Sequence, residues 1–279
     1  PGGVPGVVFT GAAFGDQAGF SVGGGGTSTA SAGTDIVIGA PGADPGSRTD
    51  AGAVYVIFDN ATLSGNVPLT LISDGLPDQV PGKAYLGDQA GDLLGFSTAF
   101  AGAVILGQNP ATGSVLMGAP GAANLRGRVV APPGDPDTTP IIVDAIRSTQ
   151  SGFQIQGTQP GEQLGWSVAD GGDALADGVP DLLIGAPTYD VGGQTDAGRV
   201  LETTQVIASG VYSADAVGTT IDGTIWTGDA SGDQLGSAVE GTPDVTGDGY
   251  DDVVLGAPLV DPIVGGVPQT DAGAVYVIN

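Results

Sequence analysis

The chain has 279 residues, with 31 acidic against 6 basic side chains for a formal charge of −25, and it contains neither Cys nor His. These figures exclude a disulfide scaffold, thiolate chemistry, and the commonest general base and transition-metal ligand. So negative a surface also repels nucleic acid and anionic lipid.

In chain order, no basic-then-apolar leader opens the sequence, so Pro1 is expected to follow a processing boundary. No apolar run approaches the roughly 18 residues of a membrane span. Val7-Val8-Phe9-Thr10 predicts a strand. Next come Ala18-Gly19-Phe20-Ser21-Val22, the apolar run Asp35-Ile36-Val37-Ile38 leading into Gly39-Ala40-Pro41, the segment Thr49 to Ile57, and Lys83-Ala84-Tyr85-Leu86. The series then returns as Leu94-Gly95-Phe96-Ser97-Thr98, Ser114-Val115-Leu116-Met117 before Gly118-Ala119-Pro120, a degenerate Gly127-Arg128-Val129-Val130, and Phe153-Gln154-Ile155-Gln156. A third pass reads Leu164-Gly165-Trp166-Ser167-Val168, Asp181-Leu182-Leu183-Ile184 before Gly185-Ala186-Pro187, Thr195 to Leu201, and Thr224-Ile225-Trp226-Thr227. The fourth runs Leu235-Gly236-Ser237-Ala238-Val239, Asp252-Val253-Val254-Leu255 before Gly256-Ala257-Pro258, and Thr270 to Ile278, which repeats Thr49 to Ile57 letter for letter.

Successive Gly-Ala-Pro copies lie 79, 67 and 71 residues apart. Four copies of ordered markers identify a repeat architecture. The apolar runs are short, rich in β-branched and aromatic residues, and bounded by Gly, Pro and Asp; none has helical spacing. The predicted fold is therefore all-β: one β-propeller domain, residues 1–279, of four blades with about four antiparallel strands each. Approximate units are 11–86, 87–156, 157–227 and 228–279, the last joined by strand 7–10. That N-terminal strand is expected to complete the last blade, either in the same chain or in a neighbouring subunit, which would give a head-to-tail polymer of copies. Insertions such as Asp59 to Gly82 and Ala131 to Gly152 are assigned to the outer rim as loops.

The ordered markers with an acidic loop between them resemble the FG-GAP repeats of integrin α-chain propellers and their microbial relatives, over essentially the whole chain. The Phe-Gly pair of the family name stands here as Ala18-Gly19, Leu94-Gly95, Leu164-Gly165 and Leu235-Gly236. The integrin propellers have seven blades, against four repeats here. The resemblance implies a cell-surface or secreted adhesion protein.

The strongest chemical signal is Asp244-Val245-Thr246-Gly247-Asp248-Gly249-Tyr250-Asp251-Asp252. Oxygens at positions 1, 3, 5 and 9 (Asp244, Thr246, Asp248, Asp252), Gly at 6 and a backbone carbonyl at 7 (Tyr250) are the layout of a Ca2+ loop. The alternative is an Asx-turn hairpin whose carboxylates cap backbone N–H groups. Residue Thr246 stands where Asp or Asn is usual. The third-unit loop keeps Asp173, Asp177, Val179 and Asp181 in the same frame but has Leu175 at position 3. The first-unit frame (Thr27, Thr29, Ser31, Asp35) and the second (Pro110, Ser114) are expected to be metal-free. Elsewhere Asp16, Asp92, Glu162 and Asp233, three residues before the marker glycines, are assigned to backbone capping, and Asp50, Asp196 and Asp271 to turns. Phe20, Phe96 and Trp166 are assigned to a packing layer between blades. Asn60-Ala61-Thr62 matches a glycosylation sequon.

The functional expectation is a calcium-binding, extracellular or cell-surface propeller acting in adhesion or as a structural subunit of an extracellular assembly. Its partners would be calcium, an extracellular protein or glycan, or copies of itself, without nucleic acid or a membrane span. A carbohydrate- or ligand-binding module is the alternative. The acid-rich, Lys-poor surface suits a halophilic setting. The chain is not read as an enzyme, because no His, Cys or Gly-x-Ser-x-Gly turn is present. Only carboxylate-pair, Tyr or calcium-assisted chemistry would remain.

Overall fold

The computed structural model describes residues 6–28, 33–59, 63–72, 79–105, 112–134, 140–143, 151–174, 178–203 and 207–279. Strand β1 (Val7–Thr10) precedes the first unit, which contributes β2 (Ser21–Gly24), β3 (Ile36–Ala40), β4 (Ala53–Ile57), β5 (Gly65–Pro68) and β6 (Gly82–Leu86). The second contributes β7 (Ser97–Ala101), β8 (Ser114–Ala119), β9 (Arg128–Ala131), β10 (Ile141–Ile142) and β11 (Phe153–Gln156). The third contributes β12 (Ser167–Gly172), β13 (Asp181–Ala186), β14 (Arg199–Thr203), β15 (Gly210–Ser213) and β16 (Gly223–Thr227). The fourth contributes β17 (Ala238–Thr242), β18 (Asp252–Ala257), the small hairpin β19 (Ile263–Val264) and β20 (Val267–Pro268), and β21 (Ala274–Ile278).

Each blade is an antiparallel meander from an inner strand outward. The orders are β2-β3-β4-β6, β7-β8-β9-β11, β12-β13-β14-β16 and, with three strands among the described residues, β17-β18-β21. The continuous apolar runs before Gly-Ala-Pro become second strands covered on both faces, which explains why they lack hydrophobic alternation. Val37, Val54 and Val56 of the first blade pack with Leu94, Val115, Met117 and Val130 of the second. Leu116, Val129, Phe153 and Ile155 pack with Leu164, Leu182, Ile184 and Leu201 one blade further on.

The blades meet at backbone distance. A Cβ placed on Gly39 would lie 2.1 Å from the Gly95 carbonyl oxygen, and the same 2.1 Å separates Gly118 from Gly165 and Gly185 from Gly236. At these three junctions the first Gly of Gly-Ala-Pro is thus the position where the next blade leaves no room for a side chain. Across the same junctions Ser21, Ser97 and Ser167 donate their hydroxyls to the carbonyls of Gly95, Gly165 and Gly236, each at 2.8 Å. The assigned aromatic layer lies beside these contacts: Phe20 and Phe96 have ring centroids 4.7 Å apart, and Phe96 and Trp166 4.6 Å, both tilted.

Two expectations need correction. Strand β1 does not complete the fourth blade of its own chain; it pairs in parallel with β5, Val7 opposite Gly65 through Thr10 opposite Pro68. Nor are the rim insertions only loops, because β10 pairs in parallel with β6, and β15 with β11. In both cases a short segment between the third and fourth strands of one unit lies along the outer strand of the preceding blade. Such a pairing satisfies backbone groups on an otherwise open edge.

Candidate functional site

The fourth-unit acidic loop connects β17 to β18 and stands in solvent except at its end, where Asp252 is buried. Gly247 and Gly249, with φ of 85° and 100°, supply its left-handed turns. Asp244 accepts from the backbone N–H groups of Gly247 at 2.5 Å, Asp248 at 3.2 Å and Gly249 at 2.9 Å. Asp248 accepts from the N–H of Tyr250 at 3.0 Å. The Asp252 carboxylate accepts from the N–H groups of Val245 (2.6 Å) and Thr246 (2.9 Å) and from the Thr246 hydroxyl (3.1 Å). Burial raises the Asp252 pKa, but these three donors outweigh it and hold the carboxyl below the ordinary range.

Asp244, Thr246, Asp248 and Asp252 therefore share one loop and offer only hard oxygens, a donor set that fits calcium. Their arrangement is that of turn capping. Among the described residues no three acidic groups converge into a metal-ligating cluster.

In the third-unit loop, Asp173 accepts from the Gly178 N–H at 3.1 Å and Asp181 from the Ala174 N–H at 2.8 Å. Val179 is half-buried in the same connection. Asp177, with Leu175, lies outside the described residues, as do Thr29, Ser31, Pro110 and the sequon at 60–62. A cross-link joins the two loops: the Asp173 N–H donates to Asp251 at 3.1 Å. The first-unit loop reveals a role for position 9 that the sequence reading missed. Asp35 accepts from the Ser28 N–H (2.7 Å) and hydroxyl (2.6 Å) and from the Asp59 N–H (3.0 Å). Asp35, Asp181 and Asp252 thus each anchor the N–H seven residues upstream. The signal was available, since all three open a second strand with the same acid.

The acids before the marker glycines do cap backbone, with Asp16 accepting from Ala13, Glu162 from Thr158 and Asp233 from Ala230 at 2.7, 2.6 and 3.0 Å. Two of them also meet a buried cation. Arg128 pairs with Asp88 and, at 2.7 Å, with Asp92. Arg199 pairs with Glu162 at 3.0 Å and with Asp215 at 3.0 Å, its guanidinium 3.9 Å from the Tyr189 ring centre. Burial is the main influence on Asp92 and pushes its pKa from 3.8 to about 6; Arg128 opposes this rise and Asp88 adds to it. Burial likewise raises Glu162, against Arg199 and two backbone donors. Arg128 and Arg199 occupy one repeat position, where Ala53 and Ala274 stand in the outer units, and that alternation was legible as a marker difference but not as an ion pair. Asp50, Asp196 and Asp271 adopt left-handed turns with φ of 51°, 53° and 52°. Their N–H groups donate to Asp44, Asp190 and Asp261.

The inner strands β2, β7, β12 and β17 line an open cleft of about 230 Å³, with Val22, Thr98, Val168, Asp170 and Glu240 among its residues. Asp170 is pushed upward by burial, opposed by the Gly172 N–H and reinforced by Asp251.

A family model for the FG-GAP repeat matches residues 34–57 and 235–278, which span the second and third strands of the first blade and nearly the whole of the fourth. The chain carries FG-GAP repeat sequence in these two segments. Over 114 residues, 39% of the chain, it is 40% identical to integrin alpha-PS2 of Drosophila melanogaster, covering 8% of that relative. Over 127 residues, 46% of the chain, it is 33% identical to integrin alpha-5 of Xenopus laevis, covering 11%. The match thus spans about a tenth of the length of either integrin. No helix among the described residues is long and apolar enough to cross a membrane.

Proposed function

We propose that this FG-GAP chain is an adhesion-type extracellular propeller segment whose acidic loops take calcium, the Asp244–Asp252 loop first and the Asp173–Asp181 loop second. The observation that carries the reading is the position of the first loop. It puts three carboxylates and a hydroxyl in a hard-oxygen frame on the β17–β18 connection, inside the segment that the FG-GAP model matches. Asp244, Asp248 and Asp252, with the Thr246 hydroxyl and the Tyr250 carbonyl, would hold the ion. Calcium would neutralise carboxylates that otherwise repel one another and would stiffen one end of the blades. Extracellular calcium suits loops of roughly 10⁻⁴–10⁻³ M affinity. Partners at the cell surface or in a matrix, and a salt-rich setting, belong to the same reading, supported by the integrin likeness and by the charge of −25.

Calorimetric titration with calcium, paired with thermal melts in chelator, tests this. At tenfold its Kd the ion should stabilise the fold by about 1.4 kcal/mol. Asp248→Ala should abolish that gain while leaving the chelated melt unchanged, because Asp248 is exposed and holds one N–H. A titration without heat and melts that ignore calcium would overturn the assignment.

A further inference from the structure

The third strand of every blade opens opposite the Ala of Gly-Ala-Pro: Ala53 faces Ala40, Arg128 faces Ala119, Arg199 faces Ala186 and Ala274 faces Ala257. In the two middle blades this position carries an arginine, 6% and 1% exposed, paired with the acid three residues before the marker glycine, Asp92 or Glu162. The residue four before that acid completes each seat. Asp88 pairs with Arg128, and the Thr158 hydroxyl accepts from Arg199 at 3.4 Å. The outer blades keep the acid, as Asp16 and Asp233, yet place alanine where the guanidinium-bearing chain would start.

Both alanines leave a hole. In the first blade a cavity of about 280 Å³ is lined by Ala12, Asp16, Ala43, Asp44, Ala53 and Tyr55. In the fourth, one of about 350 Å³ is lined by Asp229, Asp233, Val260, Asp261, Asp271 and Tyr276. By repeat position these are one site: Ala12 corresponds to Asp229, Asp16 to Asp233, Ala43 to Val260, Asp44 to Asp261 and Tyr55 to Tyr276. The first blade has its outer strand in place, and Leu86 at the end of that strand lines the cavity, so it is the missing arginine that opens the space. Asp16 and Asp233 are 5% and 7% exposed. Each accepts one N–H, from Ala13 and Ala230, and no cation meets either among the described residues. A carboxylate held so far from water without a counter-charge is costly, and a cation arriving in the cavity relieves it. Burial raises the pKa of the Tyr55 and Tyr276 hydroxyls. The charge of Asp16 adds to the first and those of Asp233 and Asp229 to the second, as carboxylates facing the same space would.

We propose that the fourth-blade cavity binds the guanidinium of an arginine side chain presented by a partner, held between Asp229 and Asp233, and that the first-blade cavity, with Asp16 alone, is a weaker copy. The chain itself shows the occupant, since Asp229 and Asp233 stand where Asp88 and Asp92 hold Arg128. The Asp88 side chain is only 10% exposed beside that arginine, whereas Asp229 is exposed and so within reach from solvent. A planar guanidinium can engage two carboxylates with paired N–H donors, a geometry that a lysine ammonium does not offer. The charge of −25 attracts a cationic partner from a distance. The site precedes the inner strand β17, at the opposite end of that strand from the Asp244–Asp252 loop, so its occupancy is separate from calcium binding there.

Titration calorimetry with acetyl-arginine amide, its lysine counterpart and the uncharged citrulline analogue, at low salt and with chelator present, tests this. The arginine compound should bind about tenfold or more tighter than the lysine one, and the citrulline one should not bind. Asp229→Asn, at an exposed position, and Asp233→Asn, which keeps an oxygen for the Ala230 N–H, should each weaken the tighter binding about tenfold or more. Ala274→Arg should abolish it by filling the cavity with the chain's own guanidinium, and should raise the melting temperature. Equal affinity for arginine and lysine would reduce the effect to overall negative charge and overturn the proposal. So would the absence of any heat with the arginine compound, or tight binding that survives Asp233→Asn or Ala274→Arg.

Discussion

Arg128 and Arg199 are the costliest side chains to disturb, because each is a nearly sealed cation facing two carboxylates. Removing one partner of such a group leaves charge uncompensated away from water, typically worth about 3–5 kcal/mol. Arg199→Ala should therefore lower the free energy of urea unfolding by about that amount. Arg48→Ala, whose guanidinium reaches one carbonyl at a part-buried site, should cost much less. The acids make a second prediction. The Asp92 pKa in the fold, about 6, lies above its ordinary 3.8, so the folded chain holds an extra proton between those values. Its contribution to stability is then greatest in acid, falls as pH rises through that window by on the order of 3 kcal/mol, and is flat above it. Unfolding measured between pH 4 and 7 should show this slope, and Asp92→Asn should flatten it. Asp252 has the opposite sign: its pKa is depressed, so its contribution is present above the ordinary carboxylate range and lost as pH falls through the folded value.

Glycine decides the geometry of the blades. The first glycine of the first three Gly-Ala-Pro copies lies against a carbonyl of the next blade, so Gly118→Ala should cost about 1–3 kcal/mol through overpacking. Thermal melts of Gly118→Ala and Gly256→Ala, identical changes in equivalent strands, should separate by that amount. The blade strands were legible because their β-branched runs are bracketed by Gly, Pro and Asp, and because the markers recur in order. The rim strands were not. Gly65-Asn66-Val67-Pro68 contains poor strand formers, and Ile141-Ile142 is two residues long. They become strands only because β1, for the first, and the outer strand of the first blade, for the second, offer unpaired backbone, a tertiary cause that local propensity does not carry. Of the candidate site, the carboxylate frame was readable from spacing. The shared task of Asp35, Asp181 and Asp252 in holding an upstream N–H emerges only once the turns are built.

For the molecule as a whole, charge is the dominant unfavourable field. With 31 acids against 6 bases, self-repulsion weakens the compact state and is screened over about 10 Å at 0.1 M salt. Raising sodium chloride should therefore raise the melting temperature even in chelator, which distinguishes general screening from calcium at a loop. The nonapeptides Thr49 to Ile57 and Thr270 to Ile278 divide what composition and pattern dictate from what assembly adds. Being identical, both form third strands, Ala53–Ile57 and Ala274–Ile278, because local φ/ψ preference and the Asp-Ala-Gly turn are written into the residues. Yet Val54 is sealed and Val275 is 70% exposed. Whether an apolar side chain is buried depends on what stands across from it, and only the stacking of one blade on the next supplies that neighbour.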